Sequence, residues 1–203
     1  MPKNVRPVVV VAGTGSNVGK TTLMCRLLQH LDAWDAIKVT RGHYRSCGRD
    51  PDTCCVSNLL GDAPKLISER SLTDVPNKDT GRYWQAGAAN VHWLVATSIQ
   101  IEAGIHRALE LASGRGVLIE GTSILRYIKP ELTILVSLTN GNDEARLKPT
   151  ARRALIDGRI DAIYTSDDSQ RFSVQPEGPA IESIPVYGPS TFPDLLNLVR
   201  TLK

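Results

Sequence analysis

Apolar positions along the chain fall into short blocks separated by turns rich in Gly, Asp and Ser, and the blocks alternate between strand-like and helix-like spacing. Val8, Val9, Val10, Val11 and Ala12 form an unbroken run, the pattern of a central parallel strand buried on both faces. Leu23 to Leu31 follows with helical spacing. Ala36 to Thr40, Val91 to Ala96, Gly116 to Glu120, Leu132 to Leu138, Asp161 to Thr165 and Ile184 to Tyr187 read as further strands. Between them, Asp79 or Thr80 is expected to cap a helix whose body holds Tyr83, Trp84 and Ala86 to Ala89. Ser98 to Ala112 is amphipathic, with Ile101, Ile105, Ala108, Leu109 and Ala112 on one face. Pro149 to Asp157 predicts a helix stopped by Gly158, and the last helix begins near Pro193 and carries Leu195, Leu198, Val199 and Leu202. Strands alternating with helices predict an α/β fold, a doubly wound and mostly parallel sheet of about seven strands.

One stretch breaks the alternation. Residues 42–80 are rich in Gly, Pro, Asp, Ser and Asn, with only Leu59-Leu60 and Leu66-Ile67 as apolar patches, so they read as a lid or insertion in a single domain spanning 1–203. Within it stand His43, Cys47, Cys54 and Cys55. Thiolate and imidazole suit Zn²⁺ or an iron–sulfur cluster, although the spacing fits no standard ligand pattern. Cysteines filling small apolar gaps are the alternative, and Cys25 on the first helix reads as a core residue. His92 and His106 read as incidental.

Composition narrows the class only a little. The 203 residues, 41% hydrophobic and 22% charged, are ordinary for one globular domain. A net charge of +3 without a basic run gives no ground for nucleic acid or a membrane surface as partner. The N-terminal MPKNVRP lacks the apolar segment of an export signal, and a cytoplasmic protein is expected.

The junction of the first strand and helix carries the chemistry. Gly13, Thr14, Gly15, Ser16, Asn17, Val18, Gly19, Lys20, Thr21 and Thr22 have the grammar of a phosphate-binding loop. Backbone N–H groups converge there at the positive end of a helix dipole, Lys20 would reach the terminal phosphates, and the Thr21 hydroxyl would ligate Mg²⁺. The strict pattern asks for glycine at position 14, where threonine stands. Lys38, near the C-terminal end of the second strand, either meets a phosphate or acidic group or keeps its head in water. Asp79 and Arg82, one turn apart, suit Mg²⁺ support and phosphate contact, or else an N-cap and a solvated arginine. Glu120 ends an apolar strand before Gly121, where an acid holds Mg²⁺ or orients water in phosphate-loop proteins. Asn140 and Asp143 are candidates for a nucleotide base edge or ordinary turn residues.

In order, GTGSNVGKTTL, IKVT, KDTGRYWQAGAANV and LIEG resemble the molybdopterin-guanine dinucleotide biosynthesis protein B (MobB) family, over about residues 7 to 41, 77 to 90 and 115 to 137. The resemblance implies the three-layer P-loop NTPase sandwich and a guanine-nucleotide-binding, weakly hydrolytic accessory protein. It also implies a homodimer and a molybdenum cofactor guanylyltransferase as partner. Carried onto matching positions, Lys20, Thr21, Asp79, Arg82 and Glu120 would be the nucleotide and Mg²⁺ residues, with Lys20 and Glu120 doing the chemistry. GTGSNVGKT is also similar to the loop of dethiobiotin synthetase and cobyrinic acid amide-forming enzymes, which implies an ATP-dependent ligase or small-molecule kinase. The cysteines add a third class, a metal-binding nucleotide switch. No Asn-Lys-x-Asp string is present, so the residues alone leave GTP and ATP open.

Overall fold

The computed structural model describes residues 6–42, 59–138, 147–168 and 183–202. Strand β1 (Val8–Gly13) lies inside the sheet, between β5 (Gly116–Glu120) and β6 (Leu132–Ser137), and is parallel to both. That position explains its lack of alternation. Val9 and Val11 pack into one layer, while Val10 and Ala12 pack into the other.

Among the described residues the sheet has eight strands, in the order β3-β4-β2-β5-β1-β6-β7-β8. The others are β2 (Trp34–Arg41), β3 (Lys65–Ile67), β4 (Val91–Ala96), β7 (Ala162–Thr165) and β8 (Val186–Tyr187). All neighbours run parallel except β3, which is antiparallel to β4. This is one strand more than the pattern gives, because β3 is three residues long inside the stretch read as an insertion. The same stretch holds the short helix α2 (Arg70–Thr73). Residues 43–58, with His43, Cys47, Cys54 and Cys55, lie outside the described residues, as do Asn140 and Asp143.

Helices cover both faces. One layer holds α1 (Lys20–Leu28), α3 (Asp79–Gln85) and α6 (Phe192–Arg200), with Leu23, Leu27, Tyr83, Leu195 and Val199 fully or almost fully buried. The other holds α4 (Ile101–Leu111) and α5 (Pro149–Ile156), reached from the sheet by Ile37, Leu94, Ile119 and Ile163. No helix among the described residues is long and apolar enough to cross a membrane.

Helix α3 is shorter than expected. The chain stops at Ala86 because Gly87 takes φ 95, and the amides of Gly87 and Ala88 bond back to Trp84 O and Tyr83 O. That is the Schellman closure, so the Ala-Gly-Ala string is a helix stop rather than helix body. Asp79 is not a cap either. Lys78 holds the N-cap position without a side-chain bond, and Asp79 begins the helix with its carboxylate turned elsewhere.

Candidate nucleotide site

Strand parity decides which side chains meet. On β2, Ala36 faces the α1/α3 layer and Ile37 the opposite one, so Lys38 points to the α1/α3 side. On β5, Leu118 and Ile119 divide the same way, and Glu120 joins Lys38. The two are register partners across the β2–β5 pair. Asp79 and Tyr83, one turn apart on α3, project over them, and Thr21 descends from the first turn of α1.

The result is a closed polar cluster. Lys38 Nζ lies 2.6 Å from Asp79 Oδ2 and 2.5 Å from Glu120 Oε1. Thr21 Oγ1 donates to Glu120 Oε2 at 2.9 Å, and the Tyr83 hydroxyl donates to the same oxygen. Glu120 is almost wholly buried and Tyr83 entirely so. Burial, with the Glu120 carboxylate beside it, raises the Tyr83 phenol well above its usual range, so it stays a donor. For Asp79, burial alone would raise the carboxyl. The hydrogen bond and charge of Lys38, helped by Thr21 and Arg82, prevail and lower it.

The loop after β1 wraps above this cluster. Only Asn17 (φ 59) and Gly19 (φ 92) take left-handed backbone within it. Thr14 does not, which is why the expected glycine can be absent without strain. Its amide bonds Val136 O at 3.0 Å, its carbonyl accepts Lys148 N at 2.8 Å, and its side chain is buried. Gly13 is a different matter: a Cβ there would stand 2.7 Å from Lys20 Cδ and 2.9 Å from Val18 Cγ2, so glycine makes room for the Lys20 stem.

Lys20 Nζ donates to Gly15 O at 2.9 Å. Burial lowers its pKa, as do Lys38 and Lys148, against the opposing pull of Glu120 and Asp79. An anion in the cleft would reverse that shift. The cleft measures about 640 Å³, within the usual range for a small-molecule site. Gly13, Gly15 to Thr22, Lys38, Asp79, Arg82 and Glu120 all line it, whereas Thr14 is tucked behind. Among the described residues, five cationic side chains (Lys20, Lys38, Arg41, Arg82 and Lys148) face two carboxylates there, a balance suited to a polyanion.

Thr21, Asp79 and Glu120 offer hard oxygen atoms, the donor chemistry that Mg²⁺ takes. Thr21 turns its hydroxyl proton toward the Glu120 and Asp79 carboxylates, which points its oxygen lone pairs away from them. No group of three or more His, Cys, Asp or Glu side chains among the described residues could cage a metal by itself. A site of two carboxylates and one hydroxyl matches an ion that takes its remaining ligands from water and phosphate.

Four residues of the site escape the sequence patterns. Tyr83 sits four residues after Asp79, a spacing that could have marked it as a face-sharing neighbour. Thr122 Oγ1 accepts Gly13 N at 3.0 Å, and Lys148 Nζ donates to Ser16 Oγ at 2.8 Å. Both come from loops without a periodic signal, as Arg41 comes from a strand end. Cys25, half-buried against the core, bonds Arg82 O at 3.6 Å. His92 is buried, with Nδ1 2.8 Å from Ser68 Oγ.

Strand order, crossover helices and a glycine loop closing on a helix N-terminus define a P-loop NTPase fold. No protein-family model matches the chain, and no curated relative does. Among solved structures, HypB from Helicobacter pylori in complex with nickel is similar at a TM-score of 0.55 and 15% identity, over 98% of this chain and 87% of that one. Bacillus subtilis MobB gives a TM-score of 0.47 and 18% identity, over 97% and 98% of the two chains. The kinase domain of the Escherichia coli tyrosine kinase ETK gives 0.45 and 11%, over 88% and 74%. At such identity the likeness to HypB speaks for the fold alone, and the other two, below 0.5, add nothing to it.

Proposed function

We propose that the chain binds a nucleoside triphosphate with Mg²⁺ and hydrolyses it slowly, as a homodimeric accessory protein to a guanylyltransferase that makes the guanine dinucleotide form of the molybdenum cofactor. The observation that carries nucleotide binding is the meeting of Lys20 and Thr21, from the loop, with Asp79 and Glu120 in one cationic cleft. The cofactor role and the choice of GTP rest on KDTGRYWQAGA, the most specific part of the resemblance, whose Asp79 and Arg82 line that cleft.

In this reading the loop amides and Lys20 neutralise phosphate charge, and Arg82, Arg41 and Lys148 take up the rest. Thr21, Asp79 and Glu120 would hold the ion, directly or through water, and Glu120, pinned by Tyr83 and Thr21, would also orient a water toward the terminal phosphate. When bound there, Mg²⁺ would supply charge neutralisation for the triphosphate. Lys20, Arg41, Arg82 and Lys148 are given to phosphate in this reading, and among the described residues no carboxylate or imidazole besides Asp79 and Glu120 lines the cleft to act as a general base, so turnover is slow without a partner. A calorimetric panel of ATP, GTP and their diphosphates with Mg²⁺ tests the proposal. Saturable binding with preference for GTP supports it, and binding of ATP alone refutes the guanine part.

A second reading, an ATP-dependent ligase or small-molecule kinase, draws on Lys38 and Arg41 together at the end of β2, where an acidic co-substrate would sit. Phosphate release that rises sharply only with one carboxylate or amine would favour it. The metal-binding switch rests on His43, Cys47, Cys54 and Cys55, and on HypB having been crystallised with nickel. Protein purified anaerobically without Zn, Fe or Ni, and unable to take them up, would remove it.

A further inference from the structure

We infer that the Lys38 ammonium occupies the cation position between Asp79 and Glu120 in the nucleotide-free protein, and that a divalent ion enters only by displacing it. The inference rests on the nucleotide reading above and adds its regulation. The ammonium stands 2.6 Å from Asp79 Oδ2 and 2.5 Å from Glu120 Oε1, against the same oxygen atoms that a hard divalent ion would take.

The fold sets this contact. Lys38 and Glu120 are register partners on adjacent parallel strands, and their side chains are only 18% and 4% exposed. Glu120, so buried, needs a positive charge beside it, since an uncompensated buried charge is costly, and Asp79, 39% exposed, adds a second carboxylate against the same ammonium. In the empty protein Lys38 supplies that charge.

The donors around Glu120 differ in mobility. Tyr83 is completely buried in the core, and Thr21 is fixed in the first turn of α1. Lys38 has a flexible four-carbon stem and borders the open cleft, so its side of Glu120 is the exchangeable one. Once displaced, its ammonium faces a cleft already lined by Lys20, Arg41, Arg82 and Lys148, and it needs an oxyanion there. The terminal phosphate of a Mg²⁺-bound triphosphate brings both the ion that expels Lys38 and the anion that receives it. Ion and triphosphate therefore bind cooperatively, each raising the affinity of the other by the same factor.

The test uses the full chain without nucleotide and Mn²⁺ as the probe, with free Mn²⁺ followed by electron paramagnetic resonance. Lys38→Met is expected to bind Mn²⁺ about tenfold more tightly than wild type. Lys38→Arg, which keeps the charge, is expected to bind as weakly as wild type. A folded Lys38→Met protein whose Mn²⁺ affinity is unchanged or weaker overturns the inference. A second measurement does not depend on that variant folding. In wild type labelled with ¹⁵N-lysine, the Lys38 Nζ resonance, assigned by its loss in Lys38→Arg, should shift when Mg²⁺ is added with a non-hydrolysable triphosphate. A resonance that stays in place overturns the inference. Failure of the nucleotide reading looks different, as wild type would then bind no Mg²⁺-triphosphate at all.

Discussion

Two buried acids sit at opposite ends of the same strand pair, and their partners differ in kind. At the N-terminal end, Asp35 on β2 is fully buried and accepts Ser113 N at 2.7 Å, Gly114 N at 2.8 Å and Asn90 Nδ2 at 2.9 Å. At the C-terminal end, Glu120 on β5 takes its bonds from Lys38, Thr21 and Tyr83, side chains of three separate elements. Backbone amides and one amide side chain have fixed positions, so Asp35 ties β2 to the turn before β5 and has nothing to exchange. An ammonium and a hydroxyl can trade partners for a metal or a phosphate. A buried carboxylate is a staple at one end of this strand pair and lines the candidate cleft at the other.

Of the two acids, Asp35 is the more costly to remove. Asp35→Ala leaves the Ser113 and Gly114 amides unmatched, while Asn90 keeps Ser113 Oγ, and is expected to lower stability by about 3 kcal/mol, read as a lower urea midpoint. The fraction that remains folded should bind nucleotide as wild type does. Loss of affinity without loss of stability would put Asp35 in the site. Next in size, Glu120→Gln is expected to weaken Mg²⁺-dependent nucleotide binding by about 2 kcal/mol, roughly thirtyfold in calorimetry, with a smaller change in urea midpoint because Lys38 keeps Asp79. A change in stability with affinity intact would make Glu120 a second staple.

A gentler probe is pH. His92, near the N-terminal end of β4, is lowered below the usual imidazole value by burial, against the opposing charge of Asp35. The unfolded chain therefore takes up the proton first. Stability from this group is complete above about pH 6.5 and falls as the pH drops below that value. Urea midpoints should decline in that window in wild type and less so in His92→Leu. An identical decline in both would assign the loss to other groups.

How much of this was legible in the sequence depended on length and repetition. Strands β4 and β5 begin and end where their apolar runs do, and the valine run of β1 marks a strand covered on both faces. Three-residue β3 has no period to read, and the end of α3 turned on a single left-handed glycine that leaves the alanines around it looking helical. Around the candidate cleft, the loop, Lys38, Asp79, Arg82 and Glu120 are legible as neighbours because each stands at a strand end or helix mouth, where chemistry collects in open α/β sheets. Tyr83 looked like core because it is core, and only its hydroxyl reaches Glu120. Lys148 reaches Ser16 across 132 positions, a separation that no local pattern encodes.

This cleft is proposed to hold a Mg²⁺-bound triphosphate through Lys20. Calorimetric titration of Mg²⁺-GTP and Mg²⁺-ATP into wild type and Lys20→Ala, beside thermal melts of both proteins, tests it directly. The expected result is saturable binding to wild type that weakens by about a hundredfold or more in the variant while the melting temperature stays close to wild type. Equal affinity in the two proteins, or no binding of either triphosphate to wild type, would contradict it.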